Sequence, residues 1–286
     1  FSLSLGGICA DEYAKPNQPD LYQYSSGGHT YGLVPIYYDL GTDENPQTKI
    51  MTANPNTNTW YSYSRVNQNW ANGILVKESD GTHTREYYMT HYDVEVDQND
   101  ILAYFVWIPR YSYTIYYGTQ SVVNSYAGGT AALPGIIDIK FTSVDDSVES
   151  GSAQYRSSAQ GVNPSGWRTH PSFWWDKNSN LVREEGEELS GLWVSKFETK
   201  YTIVNDEIHG YSIPGVGSSA GSMSTSFVNS LSFSGGSVSI NEDSVGVVTY
   251  AGSSYHGLYS NIASHAMKPS EWGVVTYLSF SVYALF

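Results

Sequence analysis

Ile101–Tyr117 reads ILAYFVWIPRYSYTIYY, seventeen residues in which Arg110 is the one charged side chain. Its first half, Ile101–Ile108, is a nearly unbroken apolar run, the mark of a strand covered on both faces. Beyond Pro109 the pattern changes to alternation. Tyr111, Tyr113, Ile115 and Tyr117 fall on one face, Ser112, Thr114 and Tyr116 on the other, as in a half-buried strand. Proline has no N–H to give to a ladder, so a bend or bulge is expected at Pro109. A helix that spans a membrane needs about 20 apolar residues; this run is shorter and ends in tyrosines. The stretch predicts the central strand pair of a β-rich core.

Working outward toward the amino end, Gly32–Asp39 (GLVPIYYD) predicts a strand and Gly41–Thr59 a polar loop. Trp60–Tyr63 and Trp70–Val76 predict two aromatic-rich strands joined by a polar turn, and Tyr87–Val96 a further strand. Phe1–Leu5 alternates apolar and serine before Gly6-Gly7, and Lys15–Asp20 (KPNQPD) is a turn or linker. Residues 1–25 thus read as an arm or strand with its linker, and 26–286 as a β-rich globular domain. Phe1, Leu3 and Leu5 can fold back onto that domain or add a strand to a neighbouring subunit. The start carries no Met, basic region or long apolar segment, which predicts an exported chain from which a leader has been removed.

In the other direction, Ile136–Phe141 (IIDIKF) is a compact strand, and residues 142–166 are a long loop or subdomain junction. Gly191–Ile203 (GLWVSKFETKYTI) predicts a second long strand that echoes the first. Trp107-Ile108 matches Trp193-Val194, Arg110-Tyr111 matches Lys196-Phe197, and Tyr113-Thr114-Ile115 matches Tyr201-Thr202-Ile203. The two segments are neighbours in one sheet, or they share the pattern by coincidence in an aromatic-rich chain. Ser222–Ser230 predicts a short helix. Lys268–Tyr283 predicts a firmer one, with Pro269 at its first position, Glu271 at its positive end, and Trp272, Val274, Val275 and Leu278 as its apolar stripe.

Composition narrows the function classes. Charged residues make up 15% of the 286, against roughly 25% in ordinary domains, so solubility rests on hydroxyl and amide groups. A net charge of −14 without any basic cluster argues against nucleic acid and against anionic membranes. A single cysteine, Cys9, rules out an intrachain disulfide and a multi-cysteine zinc site. Glu184–Glu188 (EEGEE) and Asp43-Glu44 read as solvated loops, with calcium contacts as the alternative and no other cofactor implied.

Four segments carry a resemblance: Trp70–Asn72 (WAN), Val106–Tyr113 (VWIPRYSY), Gly191–Glu198 (GLWVSKFE) and Met267–Ser279 (MKPSEWGVVTYLS). In this order they resemble exported surface proteins of Gram-positive bacteria and related phage, some of them described as prepilin-like. The last two are also similar to the formylglycine-generating-enzyme branch of the C-type-lectin-like fold. That resemblance implies a mainly β, α+β fold with mixed or antiparallel sheets and a C-type-lectin-like core. The acidic residue that the branch places ahead of Glu271 is missing. No cysteine lies near either segment, so the resemblance implies the fold without the enzyme.

The residues themselves offer little chemistry. The seven histidines form no metal-binding spacing. Asp93, Glu95, Asp97, Asp138 and Glu198 could supply paired carboxylates for glycoside hydrolysis, as could a list drawn from nearly any sequence. Lys196 and Glu198 read as a salt bridge. Asp93, Glu95 and Asp97 read as a solvated strand edge, with a bound cation as the alternative. Trp60, Trp70, Trp174 and Trp175 lie near predicted loops, where aromatic faces stack on sugars or partner chains; the alternative is a place in the core. The expectation is an extracellular, non-enzymatic subunit of a surface filament, bonded to copies of itself. The second expectation is a module that binds surface glycans.

Overall fold

The computed structural model describes residues 18–21, 24–26, 29–57, 59–63, 69–77, 81–116, 136–144, 167–175, 180–182, 184, 186–204, 207–217, 230, 236–240, 248–252, 265–281 and 283. Among them the chain is mostly β, with two α-helices and antiparallel pairing between all of its named strands. Tyr24–Ser26 (β1) and His29–Tyr31 (β2) pair as a small ribbon. Val34–Thr42 (β3) turns through Asp43-Glu44 into Asn45–Thr52 (β4). Asn72–Val76 (β5), the short helix Arg85–Thr90 (α1) and Ile101–Pro109 (β6) follow. Tyr111–Tyr116 (β7), Ile136–Phe141 (β8) and Arg168–Thr169 (β9) form a second sheet in the order β8-β7-β9. Gly191–Ser195 (β10) returns to the first, giving a five-stranded sheet β10-β6-β5-β3-β4. Lys200–Val204 (β11) pairs with Glu207–Tyr211 (β12), and Gly236–Ile240 (β13) with Val248–Gly252 (β14). Pro269–Ser279 (α2) is the last element.

The deciding stretch divides between the two sheets. β6 lies inside the five-stranded sheet, and β7 is the middle strand of the three-stranded one. The break comes one residue after Pro109. The Arg110 N–H donates to Ser190 O at 2.9 Å, and its carbonyl accepts from Thr142 N at 3.1 Å, so one residue hands the chain from sheet to sheet. Pro109 faces Gly191 at a position whose N–H points away from β10, so the missing donor costs that pairing nothing.

Strand alternation then loads both faces of the main sheet. Ala71, Leu75, Ala103, Phe105 and Trp107 share one side with Trp60, Tyr61 and Tyr63. Val34, Ile36, Ile74, Val76 and Tyr104 share the other with Tyr88 and Val96. A third cluster gathers Ile108, Tyr111, Ile139 and Phe173 beneath Val274 and Leu278 of α2. Double coverage is why Ile101–Ile108 reads as a continuous apolar run.

Several elements differ from the sequence reading. Gly41–Thr59 contains β4, whose residues Asn45–Gln47 are exposed and whose inner end alone faces the core, so no alternation marks it. Trp60–Tyr63 is not a strand. It is held by one bridge, Ser62 to Asn69, with Trp60, Tyr61 and Tyr63 buried. Tyr87–Val96 begins as helix α1, because Arg85 and Tyr88 turn inward while His83, Tyr87 and His91 stack at four-residue spacing with centroids 3.8 and 4.2 Å apart. Gly191–Ile203 is two strands in two sheets, broken after Ser195. Its first half nonetheless lies beside β6, with Trp193 directly opposite Trp107. In α2 the inward residues are Val274 and Leu278, while Trp272 stands 60% exposed. The Ser222–Ser230 helix and the 142–166 junction fall largely outside the described residues.

Candidate functional site

The segments Trp70–Asn72, Val106–Tyr113, Gly191–Glu198 and Met267–Ser279 lie in contact, and polar residues within them bond to one another. Asn72 donates from Nδ2 to Trp70 O (2.7 Å), its carbonyl accepts the Trp60 indole N–H (2.8 Å), and its Oδ1 accepts from Lys196 Nζ (2.9 Å). Lys196 also lies over the Tyr38 ring, 4.6 Å from its centroid. It therefore turns away from Glu198, and the salt bridge expected there gives way to contacts between β5, β3 and the end of β10. Tyr111 donates to the carbonyl of Val274 in α2 at 2.8 Å, and burial holds its phenol well above the usual range. At the start of α2, Glu271 accepts from the Lys268 N–H at 2.7 Å and lies 2.9 Å from His265 Nε2. Burial alone would raise its pKa; these hydrogen bonds outweigh it and hold the carboxyl low. Each of these residues ties elements together, which is a structural use of groups that could have been chemical.

The most reactive-looking surface is a corner built from Trp174, Trp175 and the acidic run. Trp174 bridges to Glu188, and the Trp175 N–H donates to Glu187 O at 2.8 Å. The Glu187 carboxylate is buried and accepts the Trp174 indole N–H at 2.9 Å and the Glu184 N–H at 3.2 Å. Glu188 forms an ion pair with buried Arg110, whose Nη1 also reaches the carbonyl of Phe173 at 3.2 Å. The reading of Glu184–Glu188 as a solvated loop thus fails for Glu187 and Glu188, which fasten the two tryptophans. Trp175 is 39% exposed, and Leu181 and Val182 on the same loop are 83% and 56% exposed.

Of the other predicted residues, Trp60 is fully buried and stacks near Trp193, with centroids 6.5 Å apart, so its faces are closed to any ligand. Trp70 is half-buried against Tyr63 and Phe141. Phe1, Leu3, Leu5 and Cys9 lie outside the described residues. Asp93, Glu95 and Asp97 do not share a strand face. Asp93 sits in a turn at φ 58°, Glu95 pairs with Lys49 at 2.9 Å, and Asp97 caps the turn Gln98–Asp100 by accepting from the Asn99 N–H. Among the described residues, no group of three or more His, Cys, Asp or Glu is placed to hold a metal.

Sequence reasoning missed two buried polar centres. Asp100, fully buried, accepts from the N–H groups of Thr82 and His83 and from Tyr88 Oη at 2.5, 2.9 and 2.6 Å. It closes the loop ahead of α1. His170 is ringed by Tyr111, Tyr113, Phe173 and Tyr277 and accepts the Ser172 N–H on Nδ1 at 3.3 Å. Its proton therefore sits on Nε2, and burial drives its pKa down to about 4. The dipeptide His170-Pro171 ahead of an aromatic pair was the visible sign of this centre. No family model matches the chain, and no curated protein or solved structure matches it. Among the described residues, no helix is long and apolar enough to cross a membrane.

Proposed function

We propose that this chain is an extracellular, non-enzymatic structural subunit of a surface filament or fibre, of the kind its motif segments resemble, with a C-type-lectin-like core. One observation carries the reading. A chain with 15% charged residues leaves Trp272, Phe280, Leu181 and Val182 exposed at 56–83%. Large apolar side chains left exposed beside one another mark contacts with other molecules, and a low share of charged side chains means few of them need be desolvated where such faces meet. Trp272 lies on α2 and Phe280 caps its carboxyl end, so both exposed rings belong to the last element of the fold. The tests are electron microscopy of the native material and sedimentation of the purified protein. Regular filaments built of this chain are expected; a stable monomer or a closed trimer overturns the reading.

A second reading is favoured by Trp175 alone. This residue is 39% exposed, next in the chain to Trp174, whose indole N–H is fixed by Glu187, and an exposed indole on a held segment is of the type that stacks on sugar rings. Glycan-array binding that is lost in Trp175→Ala, with unfolding unchanged, would promote a surface-glycan-binding module. No binding to any glycan would remove it.

A further inference from the structure

We propose that the outer edge of β10 is an acceptor site for residues Phe1–Leu5 of a second copy, added to the five-stranded sheet as a sixth strand. The inference rests on the filament reading above and specifies the joint between subunits.

The backbone directions come from the register. Ser190 O accepts from Arg110 N, and Lys196 N donates to Tyr104 O, both at 2.9 Å. With Trp193 opposite Trp107, the even-numbered residues from 190 to 196 bond to β6. Gly191, Trp193 and Ser195 therefore turn their N–H and C=O groups outward. Among the described residues, no strand or loop pairs with that row.

The opposite edge of the same sheet is managed differently. Residues 93–96 run along β4, with Thr52 N donating to Val94 O at 2.9 Å and Val96 N to Ile50 O at 2.8 Å. The Lys49–Glu95 ion pair adds charge there. Edges left open are normally guarded by charge, proline or a bulge. β10 (GLWVS) has none of these, and Lys196, the first charge after it, is drawn away to Asn72. Leu192, Trp193 and Val194 are each only partly buried, so both faces of the edge have room for a further strand's side chains.

The donor is identified by pattern, length and place. Phe1-Ser-Leu-Ser-Leu5 alternates with period two and is uncharged, as an added strand between two apolar clusters requires. The chain that follows it reaches the described structure at β10 itself, where the Trp193 indole N–H donates to Asp20 O. Residues 6–17 lie between, enough to span about 40 Å when extended, which reaches an adjoining subunit.

The test is residue-resolved amide exchange on dispersed and assembled protein, with the variant Phe1→Ser/Leu3→Ser/Leu5→Ser alongside. Exchange at Gly191, Trp193 and Ser195 is expected to slow about a hundredfold on assembly. The variant is expected to unfold at the same urea concentration as the parent and to stay dispersed. A peptide of sequence FSLSLGG in excess should protect the same three amides in that variant. Filaments in which these amides exchange as in dispersed protein overturn the acceptor site and leave the filament reading standing. Protection already present in dispersed parent protein means that the segment folds back on its own domain, and overturns it too. A parent chain that never assembles removes both.

Discussion

His170 makes the stability of this protein depend on pH in a window where few other groups act. The imidazole is 4% exposed, enclosed by four aromatic rings, and its pKa falls from 6.5 to about 4 on folding because burial penalises the cation. The unfolded chain therefore binds more protons than the folded one between those two values, and stability rises with pH across the window. The contribution is complete above pH 6.5 and declines as pH falls toward 4. At about 1.4 kcal/mol per pH unit the loss amounts to about 3 kcal/mol. Carboxyls with lowered pKa, such as Glu271, act in the same direction but chiefly below about pH 4.5. The assay is urea unfolding followed by tryptophan fluorescence at intervals from pH 7.5 to 4.5, for the parent and for His170→Phe. The variant keeps a ring in the aromatic cage and loses the acceptor for the Ser172 N–H, an offset of about 1 kcal/mol at every pH. It is expected to have a nearly flat profile where the parent slopes. Equal slopes in the two proteins would refute the argument, since the titrating group would then lie elsewhere.

Three substitutions test the remaining centres, each by the same unfolding measurement at pH 7. Glu188→Ala strands the buried Arg110 guanidinium and should cost about 3 kcal/mol, whereas Arg110→Met combined with Glu188→Leu should cost less. Gly191→Ala would set a methyl group against the Trp107 ring and the Ile108 carbonyl; a loss of about 3 kcal/mol is expected, and a silent change would mean that β10 does not press on β6 as described. Asp100→Asn turns one acceptor oxygen into a donor that faces a backbone N–H, that of Thr82 at Oδ1 or that of His83 at Oδ2, and should cost about 2 kcal/mol while loosening the loop before α1.

The β class and the helix opening at Pro269 were legible in the sequence, and the pairing of Trp107 with Trp193 was one of the two readings it left open. Each rests on a local pattern: a period of two, a matched pair of strands, or a proline beside an acidic residue at a helix start. The misread elements share a different cause. β4 is polar because most of it faces water, Trp60–Tyr63 is apolar without being a strand, and α1 is too short to repeat its inward face. Burial overrode periodicity in all three.

What the chain determined by itself is therefore a set of strands, a low-charge aromatic surface and the motif segments. Tertiary structure decided which polar groups remain available. Glu187, Glu188, Lys196, Asp100 and His170 are residue types that can do chemistry, yet each is taken up by a partner distant along the chain or by an aromatic shell. It also decided that residues 93–96 cover the β4 edge of the main sheet, while among the described residues nothing pairs with the β10 edge. Hydrogen bonding and burial are settled by contacts between remote segments, and no local pattern of side chains records them.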